Sequence, residues 1–272
     1  MIQDIAPHKL ANQYNPALLP EGNDCVLLFR GGGVLLKADG SRLPKVSDFS
    51  PDSPLLYLFA LDEGRFFLLR DCEALPEGFS FLEVRTLRGP RQLPKEVIFA
   101  ILTGKHLADW YRDNRFCGRC GQAMTHSPRE RAMVCTCGAT FYPRIMPAVI
   151  AGVKNGDKLL LTKYRTGFAH NALIAGFTEI GETAEETVAR EVMEETGVRV
   201  KNITYYKSQP WGIANDLLLG FYCDLDGSPE IAMDKNELKY AAWVDRKDIV
   251  LQPDDFSLTN EMMAMFKSGK VR

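Results

Sequence analysis

The chain has 272 residues and a mass of 30.5 kDa, a length that suggests two domains with room for a small insert. Its hydrophobic content of 46% and charged content of 25% are those of an ordinary globular protein and argue against a disordered chain. The formal net charge of −2 excludes the global basic field with which many proteins attract nucleic acid.

Cysteine usage and apolar runs indicate the compartment. The first ten residues, Met1–Leu10, lack the basic start and apolar run of a signal peptide, and no apolar segment approaches the roughly 20 residues needed to cross a bilayer. Four of the seven cysteines lie between positions 117 and 137, which is more typical of a metal site in a reducing compartment than of a disulfide framework. We therefore expect a soluble, cytoplasmic protein with no membrane partner.

Two strand–turn–strand patterns occupy the first seventy residues. The first covers residues 24–39, with its turn at Gly31–Gly33, and the second covers residues 55–69. The triple glycine is not a phosphate-binding loop, because no Lys-Ser or Lys-Thr pair follows it and no helix is predicted to begin there. Short apolar strands between glycine and proline clusters predict a small, mostly β domain without chemistry of its own.

Apolar residues then recur at helical spacing from about Pro94 to Asn114. Gly104 interrupts the pattern, so the stretch is compatible either with one helix or with two short helices. Most of its aromatic side chains, among them Trp110 and Tyr111, are expected in the core.

Four cysteines follow in two close pairs. Two residues separate Cys117 from Cys120, fourteen residues separate Cys120 from Cys135, and one residue separates Cys135 from Cys137. Four thiolates in this pattern match a structural Zn²⁺ site with no open coordination position. Disulfides and unliganded thiols are the alternatives, and the shorter second pair leaves its geometry less defined. We expect zinc to supply most of the stability of so short a ribbon.

Arginines surround this cluster, namely Arg112, Arg115, Arg119, Arg129, Arg131 and Arg144. Zinc ribbons often contact nucleic acid, and arginines suit such a contact. A solvated loop surface is the simpler interpretation of the same charges, and it is the one we prefer.

The pattern changes again after Tyr142. Residues 147–153, a turn at Asn155–Gly156 and residues 158–162 predict a β-hairpin on a mixed sheet. The further elements predicted are strands over residues 217–223 and 241–244 and a terminal helix over residues 258–267.

Between these elements, Gly176–Val198 combines seven glutamates with the apolar spacing of an amphipathic helix. Thr183 is a plausible N-cap, and Glu186 three residues later completes a capping box. Gly197 stands where a left-handed residue would end the helix. The sequence therefore predicts a helix that begins after Thr183 and ends before Gly197.

One face of this helix carries three carboxylates, those of Glu191, Glu194 and Glu195. Like charges at this spacing cost a few tenths of a kcal/mol per pair, about the size of other helix pair interactions. A hard divalent cation such as Mg²⁺ or Mn²⁺ would convert the repulsion into binding, because such ions prefer carboxylate oxygens. The alternative is a solvated acidic face offset by Arg190.

The spacing of the whole segment resembles the Nudix box, which is Gly, five residues, Glu, seven residues, then Arg-Glu-aliphatic-x-Glu-Glu-x-Gly-aliphatic. Nine specified positions over 23 residues are filled by Gly176, Glu182, Arg190, Glu191, Val192, Glu194, Glu195, Gly197 and Val198. The resemblance implies an α+β chain with three parts. These are a β-rich domain with its trailing helix at residues 1–111, the zinc ribbon at 112–142 and a Nudix α/β/α sandwich at 143–272.

The Nudix resemblance also implies a catalytic site for hydrolysis of a diphosphate linked to a further group. Glu191, Glu194 and Glu195 would bind catalytic Mg²⁺ or Mn²⁺, and Glu195 is the first candidate for the general base. Arg190 would hold these carboxylates, and Glu182 would orient the loop of the box.

The order of β domain, four-cysteine ribbon and Nudix box is similar to the NADH pyrophosphatase subfamily, whose marker reads Ser-Gln-Pro-Trp-Pro-Phe-Pro-x-Ser. Here Ser208–Trp211 match the marker, whereas Gly212–Asp216 depart from it. By the same resemblance, the main chain of Ala175 and the side chain of Glu237 complete the metal shell. The residues implied to line a dinucleotide site are Glu130, Tyr142, Phe177, Gln209, Pro210 and Trp211.

The sequence thus predicts hydrolysis of NADH or NAD to nicotinamide mononucleotide and AMP, with removal of NAD caps from RNA as a further use of the same chemistry. The resemblance also implies a homodimer. One alternative is a Nudix hydrolase of another nucleoside diphosphate such as ADP-ribose, because Gly212–Asp216 differ from the marker. A catalytically silent sensor of nucleotides or nucleic acid is the other, and the intact set of box glutamates argues against it.

Overall fold

The computed structural model of the protein describes residues 1–72, 74–89, 93–166 and 170–271. The chain divides into two units. The N-terminal unit comprises Ile2–Arg144 and Trp211–Asn215, and the C-terminal unit comprises Met1, Ile145–Pro210 and Asp216–Arg272. Among the described residues, none of the helices combines the length and the apolar character that crossing a bilayer requires.

Strands and helices of the N-terminal unit confirm a β-rich region with one long helix. They are β1 Leu10–Ala11, β2 Cys25–Leu27, β3 Phe29–Arg30, β4 Gly33–Lys37, β5 Leu55–Leu61, β6 Gly64–Leu69, β7 Phe79–Glu83, α1 Lys95–Asp113, β8 Thr125–His126, β9 Met133–Val134 and β10 Thr140–Phe141. Three small sheets result, with strand orders β1-β5-β6-β2, β3-β4-β7 and β10-β9-β8.

Both predicted hairpins of this unit are confirmed. Strands β3 and β4 pair antiparallel around Gly31 and Gly32, whose φ angles of 57° and 89° lie in the left-handed region that glycine adopts without strain. Strands β5 and β6 pair antiparallel around a turn at Asp62. A buried apolar cluster of this unit includes Val26 of β2, Leu28, Leu35 of β4 and Leu69 of β6.

Helix α1 is continuous, which resolves the ambiguity at Gly104 in favour of one helix. Glycine is required there by close packing: an added Cβ would lie 2.2 Å from Cδ1 of Leu27. The interruption in the apolar pattern therefore reflects contact with β2 and not the end of a helix. Trp110 and Tyr111 are buried, as predicted.

Trp211–Asn215 belongs to the N-terminal unit because it lies against α1. A Cβ on Gly212 would be 2.1 Å from the carbonyl oxygen of Leu102, so a side chain fits there only if the backbone moves. The turn closes through Asn215, whose φ is 66°, and the N–H of Ala214 donates to the Trp211 carbonyl at 3.2 Å. This packing gives a physical reason for glycine where the subfamily marker has proline.

The C-terminal unit is built on one mixed sheet. Its elements are β11 Met146–Asn155, β12 Lys158–Tyr164, β13 Ile174–Phe177, α2 Ala184–Thr196, β14 Val200–Trp211, β15 Asp216–Leu225, β16 Leu238–Asp245 and α3 Leu258–Lys267. The strand order is β14-β15-β11-β12-β16, with β13 paired to β11. Strands β11 and β15 run parallel, whereas β11 pairs antiparallel with β12 and β13.

Alternating side chains of this sheet enter two separate cores. Ile150, Leu159 and Leu161 lie in one cluster with apolar residues of α3. Val149 and Leu160 point to the opposite cluster, which contains apolar residues of α2. A sheet covered by one helix on each face is an α/β/α sandwich, which confirms the predicted fold of this region.

Helix α2 has the predicted ends. The Thr183 hydroxyl oxygen accepts from the N–H of Glu186 at 3.2 Å, and the Glu186 carboxylate accepts from the N–H of Thr183 at 2.8 Å. Gly197 adopts a φ of 69° at the C-cap. These local hydrogen bonds fix where the helix begins and ends, and hence where its glutamates point.

Candidate active site and metal centres

Gly176 brings the backbone of β13 against the box helix. A Cβ on this residue would lie 1.9 Å from the carboxyl carbon of Glu191 and 2.0 and 2.2 Å from its two oxygens. The first position of the box is therefore glycine because the Glu191 carboxylate occupies the space of a side chain. Strand β13 pairs with β11 and contacts α2, so the sheet itself places the carboxylate there.

Arg190 organises the outer part of the acidic cluster. Its guanidinium donates two hydrogen bonds to Glu182, at 2.6 and 2.9 Å, one to Glu191 at 2.8 Å and one to Glu194 at 3.0 Å. A further bond to the carbonyl oxygen of Phe177, at 2.9 Å, ties the helix to the end of β13. The bidentate contact lowers the pKa of Glu182 to about 2, and the surrounding carboxylates raise the pKa of Arg190.

Glu195 lies inside the cluster and is only 2% exposed. Its Oε1 lies 3.4 Å from the hydroxyl of Tyr164, and its Oε2 is buried without a hydrogen-bond partner among the described residues. Burial raises the pKa of Glu195 to about 8, and the nearby carboxylates of Glu237 and Glu191 add to the shift. Burial is also the main reason why the pKa of Glu191 is raised, against the effect of Arg190.

Tyr164 connects this carboxylate to the main chain of β13. The N–H of Ala175 donates to the Tyr164 hydroxyl oxygen at 3.1 Å, and the carbonyl oxygen of Ala175 lies 3.4 Å from the same hydroxyl. Sequence reasoning missed Tyr164, because a lone tyrosine at the end of a predicted strand carries no local signal of a site.

The donor set fits a hard divalent cation. Three carboxylates, those of Glu191, Glu195 and Glu237, act on one another's charge, and one of their oxygens is buried without a partner. A buried carboxylate without a counter-charge is costly, and Mg²⁺ or Mn²⁺ bound by oxygen ligands would offset both the burial and the repulsion. Glu194 is more exposed, with 61% of its side chain accessible, and it is held by Arg190 at the edge of this group.

The residues predicted to bind a dinucleotide have varied surroundings within their own units. In the C-terminal unit, Phe177 is half exposed, and Pro210 is exposed. Gln209 is fully buried, because its amide donates to the carbonyl of Phe256 and accepts from the N–H of Leu258, both at 2.7 Å. Both ends of the Gln209 side chain are thus engaged within the core.

In the N-terminal unit, the Tyr142 hydroxyl donates to the Glu130 carboxylate at 3.0 Å, and the Tyr142 side chain is exposed. The guanidinium of Arg88 lies over the ring of Trp211, 5.3 Å from its centroid, in a cation–π contact. The roles of these residues toward a substrate stay predictions.

Asp216 is a second buried carboxylate that the sequence did not single out. It is 7% exposed, its Oδ1 lacks a hydrogen-bond partner among the described residues, and burial raises its pKa to about 6. It begins β15 at the end of the segment that departs from the subfamily marker.

The four ribbon cysteines converge on one point. The sulfurs of Cys117, Cys120, Cys135 and Cys137 all lie within 4.8 Å of one another, with the shortest separations 3.4 and 3.7 Å. A tetrahedron with Zn–S bonds of about 2.3 Å has edges of about 3.8 Å, so the arrangement fits Zn²⁺ without rearrangement.

The crowding of the four sulfurs also shifts the pKa values of these thiols. A backbone N–H of Cys137 lowers the pKa of Cys135 to about 6. The N–H of Gln122 lowers the pKa of Cys120, but the neighbouring sulfurs outweigh it and raise that pKa to about 12. The crowded thiols therefore cannot all ionise together without a cation, and zinc supplies one.

Comparison with known families identifies the class of domain. Residues 144–266 match the family model described as the NUDIX domain, and residues 112–142 match the one described as the NADH pyrophosphatase zinc ribbon domain. The chain therefore carries a Nudix domain directly after a zinc ribbon of that type, which confirms the family resemblance. A crystal structure of a NUDIX hydrolase from Nitrosomonas europaea has the same fold, with a TM-score of 0.51 at 20% identity over 57% of this chain and 92% of that chain.

Curated relatives carry names that state a more specific activity than the family models do. A protein of Citrobacter koseri named NAD-capped RNA hydrolase NudC is 44% identical over 154 residues, which cover 55% of this chain and 59% of that protein. A Klebsiella pneumoniae protein of the same name is 45% identical over 155 residues, with the same two shares. The match thus spans about three fifths of the length of these relatives.

We predict that Gly176→Ala weakens Mn²⁺ binding by about ten-fold or more, because the new methyl group displaces the Glu191 carboxylate. Calorimetric titration of the purified protein with Mn²⁺ measures the effect. Gly22→Ala is the matched control, since its Cβ would meet only Ser47 at 3.8 Å, an ordinary contact. Equal Mn²⁺ affinity of Gly176→Ala and the wild type would contradict the assigned role of this close approach.

Zinc removal should unfold the ribbon before the rest of the chain, because its short strands bury little apolar surface. We expect one bound zinc per chain in the wild type and early protease cleavage within residues 112–142 after chelation. Cys135→Ser should lose the zinc, whereas Cys72→Ser, outside the cluster, should keep it. A chelated protein with unchanged cleavage in the ribbon would refute the metal's structural role.

Proposed function

We propose that the protein is a metal-dependent hydrolase that cleaves the diphosphate of NADH or NAD. Water adds to one phosphorus, the P–O–P bond breaks, and the products are nicotinamide mononucleotide and AMP. The observations that carry the proposal are the mutual charge interactions of Glu191, Glu195 and Glu237 and the buried Glu195 oxygen that lacks a hydrogen-bond partner among the described residues, in a Nudix domain that follows an NADH pyrophosphatase zinc ribbon.

Catalytic Mg²⁺ or Mn²⁺ would be held by Glu191, Glu195 and Glu237, with Glu194 and the main chain of Ala175 beside them. When bound, such ions neutralise the diphosphate, lower the pKa of a water and stabilise the leaving oxygen. The fit of the donor set to a hard cation supports this assignment.

Glu195 is proposed to accept the proton of the attacking water. One Glu195 oxygen lies 3.4 Å from the Tyr164 hydroxyl, and the other, which has no hydrogen-bond partner among the described residues, is available for that proton or for a metal. Arg190 is proposed to act as a positioning residue. Its guanidinium would keep Glu191 and Glu194 in place, and its bidentate bond to Glu182 would anchor the loop before the helix.

Substrate recognition is proposed from the family resemblance, through Glu130, Tyr142, Phe177, Gln209, Pro210 and Trp211. An exposed aromatic face such as that of Phe177 suits stacking on a purine or nicotinamide ring, which is typically worth about 1–3 kcal/mol per base in nucleic-acid sites. Gln209 would contribute by holding the marker segment in its position, because its own amide is engaged in the core.

Removal of NAD caps from RNA is the second activity that we propose for the same site. The names of the relatives from Citrobacter koseri and Klebsiella pneumoniae support it. We further infer a homodimer from family resemblance. We also propose that the chain has three parts, which meet after residues 111 and 142. A cytoplasmic location is supported by the seven cysteines, all of which are free of disulfides.

Another nucleoside diphosphate, such as ADP-ribose, is the second candidate substrate. The observation that favours it is the segment Gly212–Asp216, where Gly212 packs against Leu102 and Asp216 has a buried oxygen without a partner. Because this segment differs from the subfamily marker, the protein could prefer a substrate with a different leaving group. The diphosphate chemistry is the same for both candidates.

Initial rates with Mg²⁺ or Mn²⁺ should be compared for NADH, NAD, ADP-ribose and an NAD-capped RNA. We expect NADH or NAD, free or as an RNA cap, to be turned over faster than ADP-ribose. A clear preference for ADP-ribose would overturn the NADH assignment in favour of the second candidate. No turnover of any of the four would favour a silent sensor.

Glu195→Gln should lower the rate by about a hundred-fold or more, because the amide neither accepts a proton nor binds a hard cation well. The fold should persist, since the amide removes a buried carboxylate and keeps its shape. Glu185→Gln is the matched control, because Glu185 is exposed on the same helix and lies outside the box pattern. Near-wild-type activity of Glu195→Gln would remove Glu195 from the mechanism.

A further inference from the structure

The N-terminal unit contains a cavity of about 410 Å³ that the proposed chemistry does not use. Its lining is Phe29, Leu68, Leu69, Arg70, Asp71, Ala108, Asp109, Arg112 and Arg115. This volume lies in the range of small-molecule sites, about 300–1,000 Å³. None of these residues belongs to the Nudix box, to the zinc ligands or to the residues predicted to bind a dinucleotide.

Two elements of the fold give this cavity its mixed character. Strand β6 ends at Leu69, so the chain passes from buried leucines directly to the exposed Arg70. On α1, Ala108 and Arg112 are four residues apart and share a face of the helix, and Arg115 follows three residues later, just after the helix ends. An apolar lining thus meets three arginines.

The carboxylates in the cavity wall are already neutralised. Asp109 accepts hydrogen bonds from Lys105 at 2.5 Å and from Arg112 at 2.7 Å. Asp71 accepts from Arg30 at 3.2 Å. Local charge is therefore positive, with five cations, Arg30, Arg70, Lys105, Arg112 and Arg115, against the three carboxylates Asp71, Asp109 and Asp113.

Arg70 and Arg115 carry the excess positive charge. Within the described ranges, neither guanidinium forms a salt bridge, and the guanidinium of Arg115 lies 6.0 Å from the centroid of the Phe116 ring. Both side chains are exposed at the rim of the cavity, where a ligand can reach their guanidinium groups. Guanidinium groups at such a position bind phosphate oxygens through paired, charge-assisted hydrogen bonds.

We infer that this cavity binds a nucleoside monophosphate group, either as a free mononucleotide or as one unit of an RNA chain. Arg70 and Arg115 hold the phosphate, while Phe29 and the apolar lining receive the base and sugar. An inorganic phosphate would leave the apolar lining unused, and an uncharged apolar ligand would leave the arginines unpaired. The inference rests on this cavity alone and does not depend on the proposed hydrolase activity.

Titration calorimetry with AMP, adenosine and inorganic phosphate tests the inference, using zinc-loaded protein without added Mg²⁺ or Mn²⁺. We expect AMP to bind the wild type more tightly than adenosine or phosphate does. Arg70→Gln/Arg115→Gln should weaken AMP binding by about ten-fold or more, because two charge-assisted contacts are lost. Arg119→Gln is the matched control, since it removes the same charge from an exposed arginine outside the cavity.

A short RNA oligonucleotide titrated in parallel distinguishes the two sources. Loss of AMP binding in the double variant supports a free mononucleotide, and loss confined to the RNA supports a chain nucleotide. Equal binding of both ligands by the wild type and the double variant, or an equal loss in Arg119→Gln, would overturn the inference. Thermal unfolding and bound zinc are checked first, and the single variant Arg70→Gln, away from the ribbon, replaces the double variant if the ribbon is disturbed.

Discussion

The guanidinium of Arg190 is the interaction on which the candidate active site depends. It bonds to Glu182, Glu191 and Glu194 and to the carbonyl of Phe177, so it joins the loop before the helix, the helix itself and the edge of β13. A planar fork fixes the direction of each bond, which a lysine ammonium would not do. Repulsion among neighbouring glutamates is thereby replaced by one defined arrangement.

That arrangement separates the acidic residues into two groups with different tasks. Arg190 binds the carboxylates of Glu182, Glu191 and Glu194, whereas the buried Glu195 forms no ion pair with a cationic side chain among the described residues. A fold that keeps a buried carboxylate without a cationic side chain is destabilised unless something else supplies the charge. A divalent cation at the proposed site would supply that charge.

Close approach of the backbone recurs at two glycines, with different consequences. Gly176 makes room for the Glu191 carboxylate and belongs to the Nudix pattern. Gly212 makes room for the carbonyl of Leu102 and departs from the subfamily marker, so it distinguishes this chain from that pattern. The proposed diphosphate chemistry and the proposed choice of substrate thus depend on separate segments.

Local interactions account for what the sequence determined by itself. Thr183, Glu186 and Gly197 define helix α2 through bonds between near neighbours, and the spacing of the cysteines identified the four sulfurs that could hold a metal ion. The terminal helix α3 spans the predicted residues 258–267 for the same reason, since apolar periodicity and capping are readable within one segment.

Only the tertiary structure decided which distant residues meet. Strand β11 pairs in parallel with β15, and Tyr164 contacts Glu195. Both contacts join segments far apart in the chain, and the sequence of one segment does not predict its contact with the other. Burial is equally non-local: the amide of Gln209, a residue predicted from its motif to line a dinucleotide site, is hydrogen-bonded within the core. Sequence patterns predict hydrogen bonds and apolar periodicity within a few residues. Strand register, side-chain burial and the interaction of distant charges are decided only when the sheet assembles.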